Sequence, residues 1–140
     1  MSLEQGQYDE YSKATAAMTS TGDTLMVSPG APINVVRMGC IFTVAIGSGS
    51  LVFQLEKRVL AGSDSNRVTG ITGCSLSITA AQGLVGTVHT LEVPNLEINP
   101  GEELVVKITT AATGAGTAIV FVHAIPKPFQ TGRLTKVTKH

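Results

Sequence analysis

The sequence predicts an all-β protein: an antiparallel β-sandwich, specifically a jelly roll of about eight strands, with extended arms at both ends. Three observations carry this. Val, Ile and Thr dominate from residue 23 onward. Gly, Pro and Asn interrupt the chain at short, regular intervals. Only the N-terminal stretch carries even a weak helical pattern. An immunoglobulin-like sandwich is the alternative, but it usually shows a core Trp, and this chain has none. No internal repeat is visible, which argues against a propeller or a solenoid.

The elements follow in order. Residues 1–22 read as an N-terminal arm holding at most one short helix, from the spacing of Tyr8, Tyr11, Thr15 and Met18. The sandwich domain is expected over residues 23–129. Residues 26–28 form a short strand stopped by Pro29-Gly30-Ala31-Pro32. Val36, Met38, Cys40, Phe42, Val44 and Ile46 alternate with smaller or polar residues, the period-2 pattern of a strand with one face on a core. Gly47-Ser48-Gly49-Ser50 reads as a hairpin loop into a strand that places Leu51, Phe53, Leu55 and Val59 on one face.

A polar loop at residues 61–66 precedes short β pieces over 69–79. Residues 85–93 form a strand ended by Pro94-Asn95, and 96–98 lead into the turn Asn99-Pro100-Gly101-Glu102. Leu104, Val106 and Ile108 alternate with Val105, Lys107 and Thr109. Residues 112–116 make a second small-residue hairpin loop. Residues 118–125 are apolar on both faces, so that strand is central in the core or its outer face meets another subunit. A basic tail, residues 130–140, ends the chain.

Composition bounds the function. Of 140 residues, 43% are hydrophobic, 14% charged and 4% aromatic, and ten cations balance ten acids. Soluble domains average about 25% charge, so part of this surface is expected to be covered by other chains, or solubilised by Ser, Thr and Gly. Nucleic-acid binding driven by net charge is not expected at zero. No stretch approaches the ~20 apolar residues of a spanning helix, since Asn34 and Arg37 interrupt the longest candidate. The polar, acidic N-terminus has the wrong character for a signal peptide. Cys40 and Cys74 read as buried free thiols, which suits synthesis in a reducing cytosol.

A search for catalytic chemistry returns little. His89, His123 and His140 form no metal motif, and the two strand histidines read as core or interface residues. Glu102 and Glu103 belong to a turn. No nucleophile elbow and no phosphate loop occurs. No enzyme activity, cofactor or metal is expected. Charge is nevertheless divided: every acid lies at or before Glu103, so residues 1–103 carry −5 and residues 104–140 carry +5. The tail cations Arg133, Lys136 and Lys139 read either as a basic tail that aids solubility or as a patch that docks on an acidic surface of a neighbouring copy or partner, with weak, salt-dependent nucleic-acid binding as a third option.

Residues 91–129 run LEVPNLEINPGEELVVKITTAATGAGTAIVFVHAIPKPF. A Pro-Gly-Glu-Glu turn leads into a Val-rich strand, a Thr/Ala/Gly loop and a strand ended by prolines. With residues 24–60, this resembles the small β-sandwich structural proteins of tailed-phage virions, especially head decoration (cement) proteins. The resemblance implies many copies on the outside of an icosahedral shell, as homo-oligomers, commonly trimers, that tie neighbouring major capsid protein subunits together. It implies a virion location after synthesis in the host cytoplasm. It also implies that residues 1–22 and 130–140 are arms reaching adjacent subunits, with Tyr8 and Tyr11 as aromatic anchors. Ile119 and Phe121, on the two-faced strand, would meet a neighbour when the oligomer closes. A receptor- or carbohydrate-binding module of a tail spike or cell surface is the alternative function, and a jelly-roll enzyme joining His89 and His123 in one pocket is a third.

Overall fold

The computed structural model describes residues 10–59 and 67–127. Eight strands fill these segments: β1 (Glu10–Ala17), β2 (Gly22–Val27), β3 (Ile33–Val44), β4 (Ser50–Val59), β5 (Arg67–Thr79), β6 (Val88–Ile98), β7 (Glu102–Thr110) and β8 (Thr117–Pro126). One sheet has the order β1-β8-β3-β6 and the other β2-β7-β4-β5. Every pairing is antiparallel. Each strand bonds the one equally far from the other end of the series: β1 with β8, β2 with β7, β3 with β6, β4 with β5. The β8–β3 and β7–β4 ladders then join these pairs into two sheets. This is the jelly roll that the strand count and alternation predict.

The core lies between the sheets. Met38, Cys40 and Phe42 of β3 and Ala118, Val120, Val122 and Ala124 of β8 face Leu51, Phe53 and Leu55 of β4 and Leu104, Val106 and Ile108 of β7. Both cysteines are buried and unbonded. Desolvation in this apolar interior pushes the Cys40 thiol up to about 12. The turn before β7 forms as expected. Glu102 N–H donates to Asn99 O at 2.9 Å, Asn99 N–H donates to Glu102 Oε1 at 2.8 Å, and Gly101 takes the positive φ of 90° that this turn needs.

Several local expectations are corrected. Residues 10–17 form an extended strand rather than an arm with a helix. Ala14 and Ala16 pack on the core while Lys13 and Thr15 face out, and pairing with β8 supplies the backbone partners that the weak local propensity does not. The sandwich therefore begins before residue 23, and β2 starts at Gly22 rather than at Met26.

Neither small-residue loop closes a hairpin. The chain passes over the end of the sandwich from β3 to β4, and from β7 to β8, each time changing sheets. Ile46 is buried in the first crossing, and Ser48 bridges Thr113 in the second. Among the described residues, β4 and β5 are the only consecutive strands that pair. In β3 a register shift between Val35 and Arg37 moves the buried phase. Ile33 and Val35 face inward before it and Met38 after it, while Val36 is half-buried and Val44 exposed. Val59 is exposed at the end of β4. Residues 67–79 form one strand rather than pieces. Pro94 lies within β6 instead of ending it, because an edge strand at a register shift asks no ladder bond of its nitrogen.

Candidate assembly surface

The two outward faces of the sandwich differ in chemistry. Outside the β2-β7-β4-β5 sheet lies a polar, ion-paired surface. Arg58 of β4 reaches Glu103 Oε1 of β7 at 3.2 Å and Asp23 Oδ2 of β2 at 3.0 Å. The Asp23 hydrogen bond and the charges of Asp23, Glu103 and Glu56 hold the guanidinium above its ordinary range, against the opposing effect of its partial burial. Beside this network lie Gln54, Glu56 and Lys107, and the small polar Ser75 and Ser77. Further ion pairs, Lys57 to Glu102 at 3.4 Å and Lys127 to Glu97 at 3.0 Å, gather at the end of the molecule where β7 begins and β8 ends.

Outside the β1-β8-β3-β6 sheet an apolar cluster occupies the middle of the surface, with Lys13 and the Arg37–Glu92 ion pair around it. Antiparallel register places directly opposed residues on the same face. One row therefore runs Thr15, Ile119, Ile41, Val88 across the four strands, and the next runs Lys13, Phe121, Gly39, Thr90. Phe121 is only 7% exposed although it faces away from the core. Its ring lies across Gly39: a Cβ built there would meet Phe121 Cζ at 2.6 Å, His89 O at 2.6 Å and Thr90 Cγ2 at 3.0 Å. The absent side chain is thus the seat of the ring, and the ring covers the glycine in return. The His123 ring packs on Phe121 at 4.9 Å between centroids, and Arg37 and Glu92 form a 2.6 Å ion pair at the far edge.

The structure places the residues singled out in the sequence unevenly. Ile119 and Phe121 sit together at the centre of the apolar face. Tyr11 lies in β1 at the register shift between Glu10 and Ser12, and its side chain lies outside the described residues. Tyr8, Arg133, Lys136 and Lys139 also lie outside them. Gly39, Ile41 and Val88 belong to the same face and were not singled out, because their rows are assembled across strands.

The two histidines are not brought together. His89 opposes buried Cys40 on the inner side, with its ring edge-on to Phe42 and Nε2 at 3.0 Å from both Gln82 O and Thr87 Oγ1. His123 opposes Arg37 on the outer side, and its Nδ1 is buried without a hydrogen-bond partner among the described residues. A sheet separates the two rings, so no shared reacting atom can sit between them. Among the described residues no cluster of metal-ligating side chains forms.

No family model matches the chain, and no curated protein matches it. Among solved structures it is similar to a mutant VP2 protein of infectious bursal disease virus in derived T=1 particles, at 13% identity and a TM-score of 0.25 over 89% of this chain. It is also similar to the infectious bursal disease virus Gx strain structure, at 11% identity and a TM-score of 0.24 over 90% of this chain. The chain spans 40% of the length of each of these.

Proposed function

We propose that this chain is a virion structural protein: a capsid decoration, or cement, protein that binds the outer shell of a tailed phage as a homo-oligomer, a trimer, and stabilises contacts between capsid subunits. The observation that carries the reading is the contrast between the two outer faces. One is crossed by the Arg58 ion-pair network, with Met26 as an exposed apolar side chain; the other presents Ile41, Val88 and Ile119 around a seated Phe121, with Lys13 and the Arg37–Glu92 pair beside them. Apolar area of this kind on a folded domain marks a surface meant for another chain. Such a protein works by area and shape, and repetition by symmetry turns modest contacts into avidity. The turn and strands of residues 91–129, which resemble the cement proteins in sequence, supply β7 and β8, and β8 carries the centre of that face.

The test is the mass in solution by sedimentation equilibrium, followed by electron microscopy of undecorated tailed-phage shells mixed with the protein. The reading expects a mass that is a small multiple of one chain, which Ile119→Lys reduces without changing the far-UV spectrum. It also expects added density on the shell exterior. A wild-type protein that stays a single chain at every concentration and leaves the shells bare would overturn it.

A further inference from the structure

Charge is distributed along this fold in an unusual way. Between Lys13 and Asp23, between Arg37 and Glu56, between Arg67 and Glu92, and between Lys107 and Lys127 there is no Asp, Glu, Lys or Arg. These four intervals hold the four connections β1–β2, β3–β4, β5–β6 and β7–β8. The jelly roll brings all four to one end of the sandwich. The four connections at that end therefore carry no formal charge, while the ion pairs among the described residues gather toward the other end.

The same end is held rigid by backbone bonds running from loop to loop. Ala112 N–H donates to Met18 O, and Met18 N–H donates to Gly116 O, both at 2.9 Å. Ser48 and Thr113 exchange a pair of 3.0 Å bonds, and Gly47 N–H donates to Ala115 O at 2.9 Å. Ile46 N–H donates to Gly83 O at 3.0 Å, and Ala80 N–H to Gly49 O at 3.1 Å. All four loops are linked in series, so a partner would meet a preformed surface and little ordering cost would oppose docking.

The end also carries exposed apolar side chains. Leu84 and Val85 stand at the tip of the β5–β6 loop, 53% and 64% exposed, and Val88 and Val44 continue from them along β6 and β3. Val88 lies in one row with Ile41 and Ile119, so this tip is continuous with the apolar outer face described above.

We propose that the charge-free end faces the rotation axis of the homo-oligomer, where Leu84 and Val85 of each copy pack against the same loop of the neighbouring copies. This rests on the assembly reading and specifies its contact. A second copy is the occupant that the charge pattern fits. Identical surfaces brought together about an axis repel when each carries charge of one sign, and these four connections carry none. A polyanion or an acidic surface would find no cation on it to pair with. Turning this end inward also leaves the ion-paired end and face in water.

The test is disulfide capture of the assembled protein. Val85→Cys is compared with Ser77→Cys, an exposed position on edge strand β5 of the polar sheet. Cys40 and Cys74 are 0% and 3% exposed and do not compete for mild oxidant. The expected result is cross-linking of most Val85→Cys chains, independent of dilution, with Ser77→Cys left as single chains. A Val85→Cys protein of confirmed oligomeric mass that yields no cross-link overturns this contact and leaves the assembly reading standing. Equal, concentration-dependent cross-linking at both positions is random collision and overturns it equally. A wild-type mass of one chain at every concentration overturns both.

Discussion

Replacing Gly39 by Ala tests the outer face of the β1-β8-β3-β6 sheet at its most constrained point. The added methyl would lie 2.6 Å from His89 O and 2.6 Å from Phe121 Cζ. The ring, the more mobile of the two, must leave its seat, and the β3–β6 ladder must give by a few tenths of an ångström at the carbonyl. Three contributions can be estimated. Overpacking costs about 1–3 kcal/mol. Moving a Phe ring from near-complete burial toward water costs up to about 2 kcal/mol. Loss of glycine's freedom in the unfolded chain returns roughly 0.4–1 kcal/mol. The net destabilisation is about 3 kcal/mol, or ~10 °C in Tm for a domain between the size classes for which such shifts are known.

A double-mutant cycle isolates the ring. With Phe121→Ala already present, Gly39→Ala meets only the carbonyl and the Thr90 methyl, and should cost about 1 kcal/mol, leaving a coupling near 2 kcal/mol. Urea denaturation at one fixed protein concentration measures all four species, since an oligomer makes stability concentration-dependent. Additivity within about 0.5 kcal/mol, or a Gly39→Ala protein as stable as wild type, would refute the idea that Gly39 is the seat of Phe121.

Three further outcomes are expected. Arg58→Ala removes the bridge joining β2, β7 and β4 and leaves Asp23 and Glu103 without it; it should cost about 1–2 kcal/mol in urea denaturation, and a loss under about 0.3 kcal/mol would show that the network is idle. Cys40, raised from 9.0 to about 12, keeps its proton in the folded state while the unfolded chain releases it. Its contribution is thus complete below pH 9 and is lost as pH rises toward 12, at up to about 1.4 kcal/mol per pH unit. Urea midpoints from pH 8 to 10.5 should fall less steeply in Cys40→Ala than in wild type, and parallel slopes would contradict this. Gly101→Ala meets no atom within 4 Å yet must adopt a φ of 90°, so its cost should be purely conformational, about 1 kcal/mol in thermal unfolding, and a neutral result would show that the turn relaxes freely.

The sequence carried the sandwich and its jelly-roll class, because alternation in residues 38–42, 104–108 and 118–124 survives in the buried faces of β3, β7 and β8. What it did not carry was the partner of each strand. Alternation says that one face is covered, not by which sheet, so the two small-residue loops read as hairpins when they are crossings. The bulge after Val35 and the strand at residues 10–17 were hidden for a related reason: both depend on register with β8, more than 80 residues away in sequence. At the candidate surface, the two-faced character of residues 118–125 was enough to single out Ile119 and Phe121. Gly39 was not, because its role depends on a ring from another strand. The charge-free end was legible as intervals between charged residues, although the overall charge fraction alone did not reveal it.

The pairing rule of this fold also sets an order in which it can be made. Among the described strands, only β4 and β5 are neighbours both in the chain and in a sheet. Each later pair encloses the one before it: β3 with β6, β2 with β7, and last β1 with β8. Closing the shortest loop first costs the least chain entropy, so the protein is expected to zip from its middle outward. On the ribosome, β1 is made before the other seven described strands and must wait for β8. Until then β1 has no ladder, and the apolar outer face lacks its central strand. The outer face that carries Ile119 and Phe121 is therefore complete only once β8 has joined its sheet, so folding order sets when that face first exists.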